Sequence, residues 1–270
     1  MPYSWQNKVC VVTGASAGLG LAIARAFCAR QARVVINARG EQQLAQAAAS
    51  LTGSGAEVLP IAGDVTQQKD VDRLVQAVKD QFGRADLLCN CAGRSARQAV
   101  LDTTPADFQE LLDVNFLATV RTTRAFASMV LEHKGSIVNV GSLASKVAPR
   151  FMGAYPASKY ALAAYSQQLR LEHGSEGLHV LLVCPGPIRR GEANERYQQQ
   201  SQSLPPAARR PGAGAKLRGI DPNQLADRIV SACERRKLEL VVPAKVRLLL
   251  TLAQLSPRLG DWMLQRATSD

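Results

Sequence analysis

The stretch KVCVVTGASAGLG, residues 8–20, joins an apolar run to a glycine-rich turn, and the helical pattern LAIARAFCARQ follows directly. We therefore predict a buried strand over residues 8–12, then a tight turn and a helix. Gly14, Gly18 and Gly20 would let the backbone turn sharply and approach a pyrophosphate, while the start of the helix would offer unpaired N–H groups. Because the glycines lie between a strand and a helix in a repeating β-α pattern, they predict a dinucleotide site.

The cofactor preference of such a site depends on the end of the next strand, RVVINAR. An acidic residue there binds the ribose 2'-hydroxyl of NAD, and an arginine accommodates the 2'-phosphate of NADP. This chain has Ala38 and then Arg39, so we predict NADP over NAD, the alternative being that Arg39 is a solvated surface residue. The third strand, EVLPIAG, delivers Asp64 and Val65. Two roles are open to Asp64, a bond to the adenine or a cap on the helix that begins near Gln67.

The reacting groups are expected in residues 141–159, GSLASKVAPRFMGAYPASK, after the strand pattern SIVNV. Ser142 would lie at the carboxyl end of that strand, where open α/β sheets bind ligands. A helix beginning at Tyr155 would stack its phenol on the same face as the ammonium of Lys159. A nearby cation favours the ionised form of a phenol, whose ordinary pKa is ~10, so Tyr155 could exchange a proton with a carbonyl oxygen held by Ser142. The alternative is that Tyr155 packs its ring and Lys159 is a solvated surface residue.

Two further patterns place polar residues near the carboxyl ends of the predicted strands. The strand pattern DLLCNCAG closes at residues 90–93, where we expect the ribose of the cofactor to pass. Residues 105–133 have helical spacing throughout, and Asn115 lies inside that pattern. Taken alone, Asn115 is as consistent with a satisfied buried amide that pins a helix as with a functional group.

The composition suits one large α/β domain over residues 1–270, with 46% apolar and 20% charged residues. An apolar run of the ~20 residues that span a membrane is absent from the sequence, and the first residues do not read as a signal peptide, so we predict a cytoplasmic protein. The six cysteines are expected to be reduced, and their spacing indicates no metal site. Of the net charge of +11, residues 189–270 carry +7, and because no helix shows a basic stripe we predict no nucleic-acid partner.

These motifs, taken in order and spacing, resemble the short-chain dehydrogenase/reductase family over residues 8–187, about two-thirds of the chain. The motifs that carry the resemblance are TGASAGLG at 13–20, DV at 64–65, NCAG at 90–93, Asn115, Ser142, YPASK at 155–159 and PG at 185–186. The resemblance implies a single doubly wound parallel sheet in the order 3-2-1-4-5-6-7, with helices on both faces. It also implies a homodimer or homotetramer packed through the helices that contain Asn115 and Tyr155.

The same resemblance implies a catalytic tetrad of Asn115, Ser142, Tyr155 and Lys159. In that family Asn115 would support a water-linked proton path to Lys159, which would also hold the nicotinamide ribose. The residues predicted to bind the cofactor are Gly14, Ser16, Gly18, Leu19, Gly20, Arg39, Asp64, Val65, Asn90, Ala92, Gly93, Tyr155, Lys159, Pro185, Gly186 and Ile188. The chain departs from the family at Cys91, where a second asparagine is usual, and at Arg190, near which a threonine often bonds the carboxamide.

The last third of the chain holds two predicted additions. Residues 187–220 are polar and low in complexity, so we predict a lid over the substrate. The basic charges of this lid would suit an anionic group of the substrate or cofactor, and the alternative is a plain solvated loop. A helix then begins after Asp221 as N-cap, with a strand, LELVV, behind it. Residues 244–270 are predicted to form a helical extension with a break at Ser256 and Pro257. It would lie on a membrane surface or cover the pocket or a subunit interface, and we favour packing.

Together these features predict an NADP(H)-dependent oxidoreductase that interconverts a carbonyl and a secondary alcohol of a small molecule by hydride transfer, with Tyr155 as general acid and base. Two alternatives are kept. One is a membrane-surface lipid or steroid carbonyl reductase, for which the C-terminal segment would be the anchor. The other is a dinucleotide-sensing module that binds the cofactor without turnover, although such a module would not be expected to retain all four tetrad residues.

Overall fold

The computed structural model describes residues 3–53, 55–189, 204–209, 214 and 217–268. Its seven strands are β1 Val9–Thr13, β2 Arg33–Ala38, β3 Val58–Ala62, β4 Leu87–Asn90, β5 Ser136–Val140, β6 His179–Pro185 and β7 Glu239–Val242. They form one sheet in the order β3-β2-β1-β4-β5-β6-β7, and every neighbouring pair is parallel. This confirms the predicted strand order, with β1 displaced by one residue from the predicted span.

The helices of the described residues connect these strands or follow the last of them. They are α1 Gly18–Cys28, α2 Glu41–Thr52, α3 Gln68–Phe82, α4 Pro105–Leu112, α5 Ala118–Glu132, α6 Tyr155–His173, α7 Pro206–Arg209, α8 Pro222–Glu234, α9 Val246–Leu255 and α10 Pro257–Thr268. The predicted cap of α8 is confirmed, because the Asp221 carboxylate accepts hydrogen bonds from the N–H groups of Asn223 and Gln224 at 2.9 and 3.2 Å. The predicted break at Ser256 separates α9 from α10.

Helices cover both faces of the sheet because successive strand residues point to opposite sides. In β1, Cys10 and Val12 pack in one apolar cluster with side chains of α1, α2 and α8. Val9 and Val11 pack in a second cluster with side chains of α3 and α5. All five residues of β1 are buried, as expected for a central parallel strand. The doubly wound arrangement leaves the carboxyl ends of the strands on one edge, where the candidate site lies.

The segment predicted as one continuous helix over residues 105–133 is interrupted. A π-helical turn, Asp113–Leu117, lies between α4 and α5, and Asn115 is inside it. The helical spacing was right on either side of this turn. Because π-helical turns often occur at functional sites, this one marks Asn115 for closer inspection.

The two predicted C-terminal additions are described in part. Most of the predicted lid over residues 187–220, including Arg190, lies outside the described residues. In α9 and α10, Val246 and Leu250 are buried, while other large apolar side chains are exposed. The exposed ones are Leu248, Leu249, Leu252, Leu255, Leu259 and Trp262. Over the part of the chain that is described, no helix combines the length and the apolar character needed to cross a membrane.

Candidate active site

The glycine-rich turn after β1 is held against the end of β4 by close backbone packing. Gly14 has a φ of +64°, and a Cβ atom there would lie 2.8 Å from the Cα atom of Ala92. A Cβ atom at Gly20 would lie 2.2 Å from the carbonyl oxygen of Gly14. These two glycines are therefore required for the turn itself, which brings the start of α1 beside the segment that follows β4.

The start of α1 has the features of an anion site. Its N-cap residue, Ala17, makes no side-chain capping bond, and the first turn contains no acidic residue. Gly18 has a φ of +57°, and a Cβ atom there would meet nothing within 4 Å, so space is open beside the first turn. The helix dipole and free N–H groups attract a negative charge to such a position, and the residues present fit a pyrophosphate. Ser16 is half-buried beside this turn, whereas the Leu19 side chain is buried in the core, which leaves only its backbone facing the opening.

Arg39 and Asp64 lie together where β2 and β3 end. The Arg39 side chain is 75% exposed, and its Nη1 atom is 3.9 Å from Oδ2 of Asp64. The other carboxylate oxygen of Asp64 accepts hydrogen bonds from the N–H and hydroxyl of Thr66, at 2.9 and 2.8 Å. The N-cap of α3 is Gln67, so Asp64 orders the preceding turn and is not the helix cap. An exposed ion pair of this length is weak, and Arg39 stays available to a ligand anion.

The residues predicted at the ends of β3 and β4 contribute differently. The side chain of Val65 is buried against α3 and α5. The Asn90 side chain is also buried, and it donates to Asn139 Oδ1 at 2.9 Å and accepts from the Thr122 hydroxyl at 2.7 Å. It is therefore committed to the core. The Ala92 N–H donates to the hydroxyl of Thr13 at 3.2 Å, a contact that the sequence analysis did not identify.

Asn115 joins the loop after β4 to α6. Its Oδ1 atom accepts from the N–H of Arg94 at 2.8 Å, and its Nδ2 atom donates to the Arg94 carbonyl at 2.9 Å. The same Nδ2 atom donates to the hydroxyl of Ser158 at 3.0 Å. Asn115 is 1% exposed, and a Cβ atom at Gly93 would lie 2.8 Å from its Oδ1. The Asn115 amide is therefore buried and fully hydrogen-bonded, as the first of its two predicted roles requires. It also lies within the candidate site.

Lys159 is buried one helical turn after Tyr155 on α6. Its Nζ atom donates to the carbonyl of Val140, the last residue of β5, at 2.9 Å, and lies 5.9 Å from the centre of the Tyr155 ring. Burial lowers the pKa of Lys159 to about 8, and the neighbouring Cys91 and Cys184 thiols act in the opposite direction. A side chain that is only 5% exposed rules out the alternative of a solvated surface lysine.

Ser142 and the residues after β6 lie at the same edge. Ser142 follows β5, and its hydroxyl oxygen accepts from the N–H of Ala144 at 3.1 Å. That bond uses a lone pair of the oxygen and leaves the hydroxyl hydrogen as a donor. Gly186 directly follows β6, which ends at Pro185, and its N–H donates to the carbonyl of Val242 at 2.7 Å. Ile188 forms a bridge with Ile220.

The carboxyl edge of the sheet holds the uncapped start of α1 and, further along, the phenol of Tyr155 beside the buried ammonium of Lys159. Together these two features are typical of a dinucleotide-binding oxidoreductase of the doubly wound α/β class. The family model described as "short chain dehydrogenase" matches residues 8–202. The chain belongs to that family.

Characterised relatives agree with this assignment. The chain is 31% identical over 263 residues to the ketoacyl reductase HetN of Nostoc sp., covering 94% of this chain and 87% of that protein. The L-sorbose reductase of Gluconobacter frateurii, solved with NADPH and L-sorbose, is 27% identical with a TM-score of 0.79, covering 90% of this chain and 97% of that one. A short-chain dehydrogenase/reductase of Burkholderia phymatum, solved with NAD, is 25% identical with a TM-score of 0.81, covering 99% and 98%. The chain is therefore an oxidoreductase for carbonyl and alcohol groups that uses a nicotinamide dinucleotide.

Proposed function

We propose that this chain is an NADP(H)-dependent oxidoreductase that interconverts a small-molecule ketone and a secondary alcohol, with Tyr155 as the general acid and base. The observation that carries the proposal is the placement of Lys159. Its ammonium is almost fully buried at the carboxyl edge of the sheet and lies 5.9 Å from the centre of the Tyr155 ring. A buried cation beside the ring can stabilise the negative charge that the phenol takes on when it gives up its proton.

Each group of the tetrad has a defined task in this proposal, and Lys159 has a second one besides its effect on Tyr155. The nicotinamide dinucleotide, when bound, supplies or accepts the hydride. Tyr155 gives a proton to the carbonyl oxygen during reduction and removes it during oxidation. The hydroxyl of Ser142 donates a hydrogen bond to the same oxygen and stabilises the charge that develops there. Lys159 holds the cofactor ribose, and Asn115 fixes the loop that begins at Gly93 against α6.

The preference for NADP(H) rests on Arg39. Its guanidinium is exposed where β2 ends, and its ion pair with Asp64 is long and solvated, so a 2'-phosphate can replace the carboxylate as its partner. One solved relative binds NADPH and another binds NAD, so the relatives alone leave both cofactors open. A planar guanidinium matches a phosphate with two parallel hydrogen bonds, which favours NADP(H) for this chain.

We also propose that the protein forms a homodimer or homotetramer through the helices that contain Asn115 and Tyr155. Apolar side chains are exposed along these helices, including Leu117 at 40%, Tyr160 at 44% and Leu171 at 72%. A groove of about 510 Å³ lies beside them, lined by Thr103, Pro105, Phe108, Gln109, Leu112 and Leu117. Exposed apolar side chains of this kind are typical of subunit contacts. Light scattering coupled to gel filtration measures the state, and a monomer at micromolar concentration would refute the proposal.

The exchange of Tyr155 for phenylalanine tests the proposed chemistry. Tyr155→Phe keeps the ring and removes the proton donor, so turnover should be lost while NADPH binding is retained. The assay is NADPH oxidation with a panel of aromatic diketones, ketosteroids and acyl thioesters, together with NADPH binding followed by fluorescence. Tyr160→Phe, an exposed tyrosine on the same helix, is the matched control. Normal turnover in Tyr155→Phe would overturn the assignment, and NADPH binding by the wild type without turnover of any carbonyl would favour a sensing module.

A further inference from the structure

Ser158 lies between Tyr155 and Lys159 on α6. It is three residues after Tyr155, directly before Lys159, and 0% exposed. Its hydroxyl donates a hydrogen bond to the carbonyl oxygen of Tyr155 at 2.7 Å and accepts one from Nδ2 of Asn115 at 3.0 Å. Ser158 therefore connects the π-helical turn around Asn115 to the first turn of the helix that carries Tyr155 and Lys159.

The direction of these hydrogen bonds is fixed by the backbone of Arg94. Its N–H donates to Oδ1 of Asn115, and its carbonyl accepts from Nδ2, so only one orientation of the amide satisfies both groups. The second hydrogen of Nδ2 then points to Ser158, which must accept it. The hydroxyl hydrogen of Ser158 is consequently directed to the Tyr155 carbonyl. Every member of this short chain of bonds has a fixed donor and a fixed acceptor.

We propose that Ser158 is a positioning residue, which holds the Asn115 amide in place relative to Tyr155 and Lys159. The inference rests on the proposed function, because it concerns the geometry of the same four groups. The packing is tight, since a Cβ atom at Gly93 would lie 2.8 Å from Oδ1 of Asn115 and 3.6 Å from Nζ of Lys159. Loss of the Ser158 hydroxyl leaves a buried N–H of Asn115 without its acceptor, which favours movement of the amide. Because the Asn115 amide and the Lys159 ammonium both lie next to Gly93, such a movement would alter the packing around Lys159.

The same helix provides a matched control in Ser166. Ser166 is also 0% exposed, its hydroxyl donates to the carbonyl of Leu162 at 2.7 Å, and it accepts from Nδ2 of Asn139 at 2.9 Å. Ser166 thus makes the same pair of bonds two helical turns away from Ser158, with an asparagine of β5 in place of Asn115. Replacing either serine with alanine removes the same atom from equally buried surroundings, and only Ser158 touches the site.

The experiment compares Ser158→Ala with Ser166→Ala. Thermal unfolding should show similar losses of stability for the two variants. Hydrogen exchange should be faster over residues 93–98 in Ser158→Ala alone, because the Arg94 N–H is bonded to Asn115. In NADPH oxidation with benzil as the ketone, Ser158→Ala should lose at least about tenfold in kcat, with KM for benzil and Kd for NADPH within about twofold of wild type. Ser166→Ala should keep its kcat.

The outcomes separate this inference from the proposed function. Tyr155→Phe is measured beside the two serine variants, and if it retains turnover the proposed function fails. If Tyr155→Phe is inactive while Ser158→Ala matches Ser166→Ala in both kcat and exchange, only the positioning role of Ser158 is refuted. If benzil is not reduced by the wild type, the exchange over residues 93–98 decides, and equal exchange in the two serine variants overturns the inference.

Discussion

Replacement of Lys159 by methionine tests how much stability this chain loses by keeping a cation buried at its site. Lys159 is 5% exposed, and burial lowers its pKa from 10.5 to about 8. The ammonium donates a hydrogen bond to the carbonyl of Val140 at 2.9 Å, which offsets only part of the loss of hydration. Methionine has a similar unbranched stem and no charge, so Lys159→Met isolates the effect of the ammonium.

The sign of the effect follows from proton binding in the folded and unfolded states. The folded-state pKa of Lys159 lies below the unfolded value, so the unfolded chain binds more protons between pH about 8 and 10.5, and stability rises with pH there. At neutral pH the buried ammonium lowers the free energy of unfolding by about 3 kcal/mol, which is the difference between the two pKa values multiplied by about 1.36 kcal/mol. From about pH 7 to about pH 9.5 this penalty shrinks by about 2 kcal/mol.

The assay is urea unfolding of the cofactor-free wild type and of Lys159→Met at several pH values over that range. The free energy of unfolding of the wild type, measured relative to the variant, should rise by about 2 kcal/mol as the pH rises. Lys69→Met, which removes an exposed lysine, should give a curve parallel to the wild type. Parallel curves for Lys159→Met as well would show that Lys159 is not a buried cation and would refute the reasoning behind the proposed site.

Three further changes test other parts of the structure. Ala38→Asp combined with Arg39→Ala should reverse the preference for NADPH over NADH. A charge-assisted contact of about 1.5 to 3 kcal/mol corresponds to roughly one to two decades of affinity, and an unchanged ratio of the two affinities in fluorescence titrations would contradict the prediction. Gly20→Ala should lower the Tm far more than Gly18→Ala, because the new Cβ would lie 2.2 Å from the Gly14 carbonyl in the first case and meet nothing within 4 Å in the second. Burial lowers the pKa of His179, so stability should fall as the pH drops below about 6.5, and His179→Gln should lose that dependence in acid unfolding curves.

The strands and most helices could be predicted from the sequence because their apolar periodicities are strong. The strand order came from the resemblance carried by the motifs, since periodicity alone does not rank strands within a sheet. The π-helical turn, Asp113–Leu117, was missed for a physical reason. Its position depends on the bonds of Asn115 to Arg94 and Ser158, which lie 21 and 43 residues away along the chain. Helical spacing reports local burial and contains no information about such distant partners.

The site was predicted unevenly for a related reason. The positions of Tyr155 and Lys159 relative to each other follow from helical geometry, and the structure places them as expected. Asn90 was predicted among the cofactor-binding residues, and its side chain lies in a buried network with Thr122 and Asn139 that its motif alone does not reveal. Ser158 went unnoticed because a helical serine has no distinctive chemistry until its partner is known. In both cases the deciding contact is made across the fold.

The helix starts of this chain differ in a way that supports the placement of the ligand. Between β1 and β7, α4 and α8 begin with side-chain caps, supplied by Thr104 and Asp221, whereas α1, α2, α3 and α6 do not. Helix α5 also has no side-chain cap, but it continues directly from the π-helical turn. A missing cap lowers stability by about 1 kcal/mol, and the two capped helices show that the sequence can supply one. The uncapped helices α1, α2 and α3 are those that directly follow β1, β2 and β3, where the cofactor is proposed to lie, and α6 carries Tyr155. Among α1, α2 and α3, the first turns of α2 and α3 contain the carboxylates of Glu41 and Asp70, whereas that of α1 has no acidic residue. The start of α1 is therefore the one of these three where an anionic ligand would do most to stabilise the free N–H groups, which supports the proposed position of the pyrophosphate.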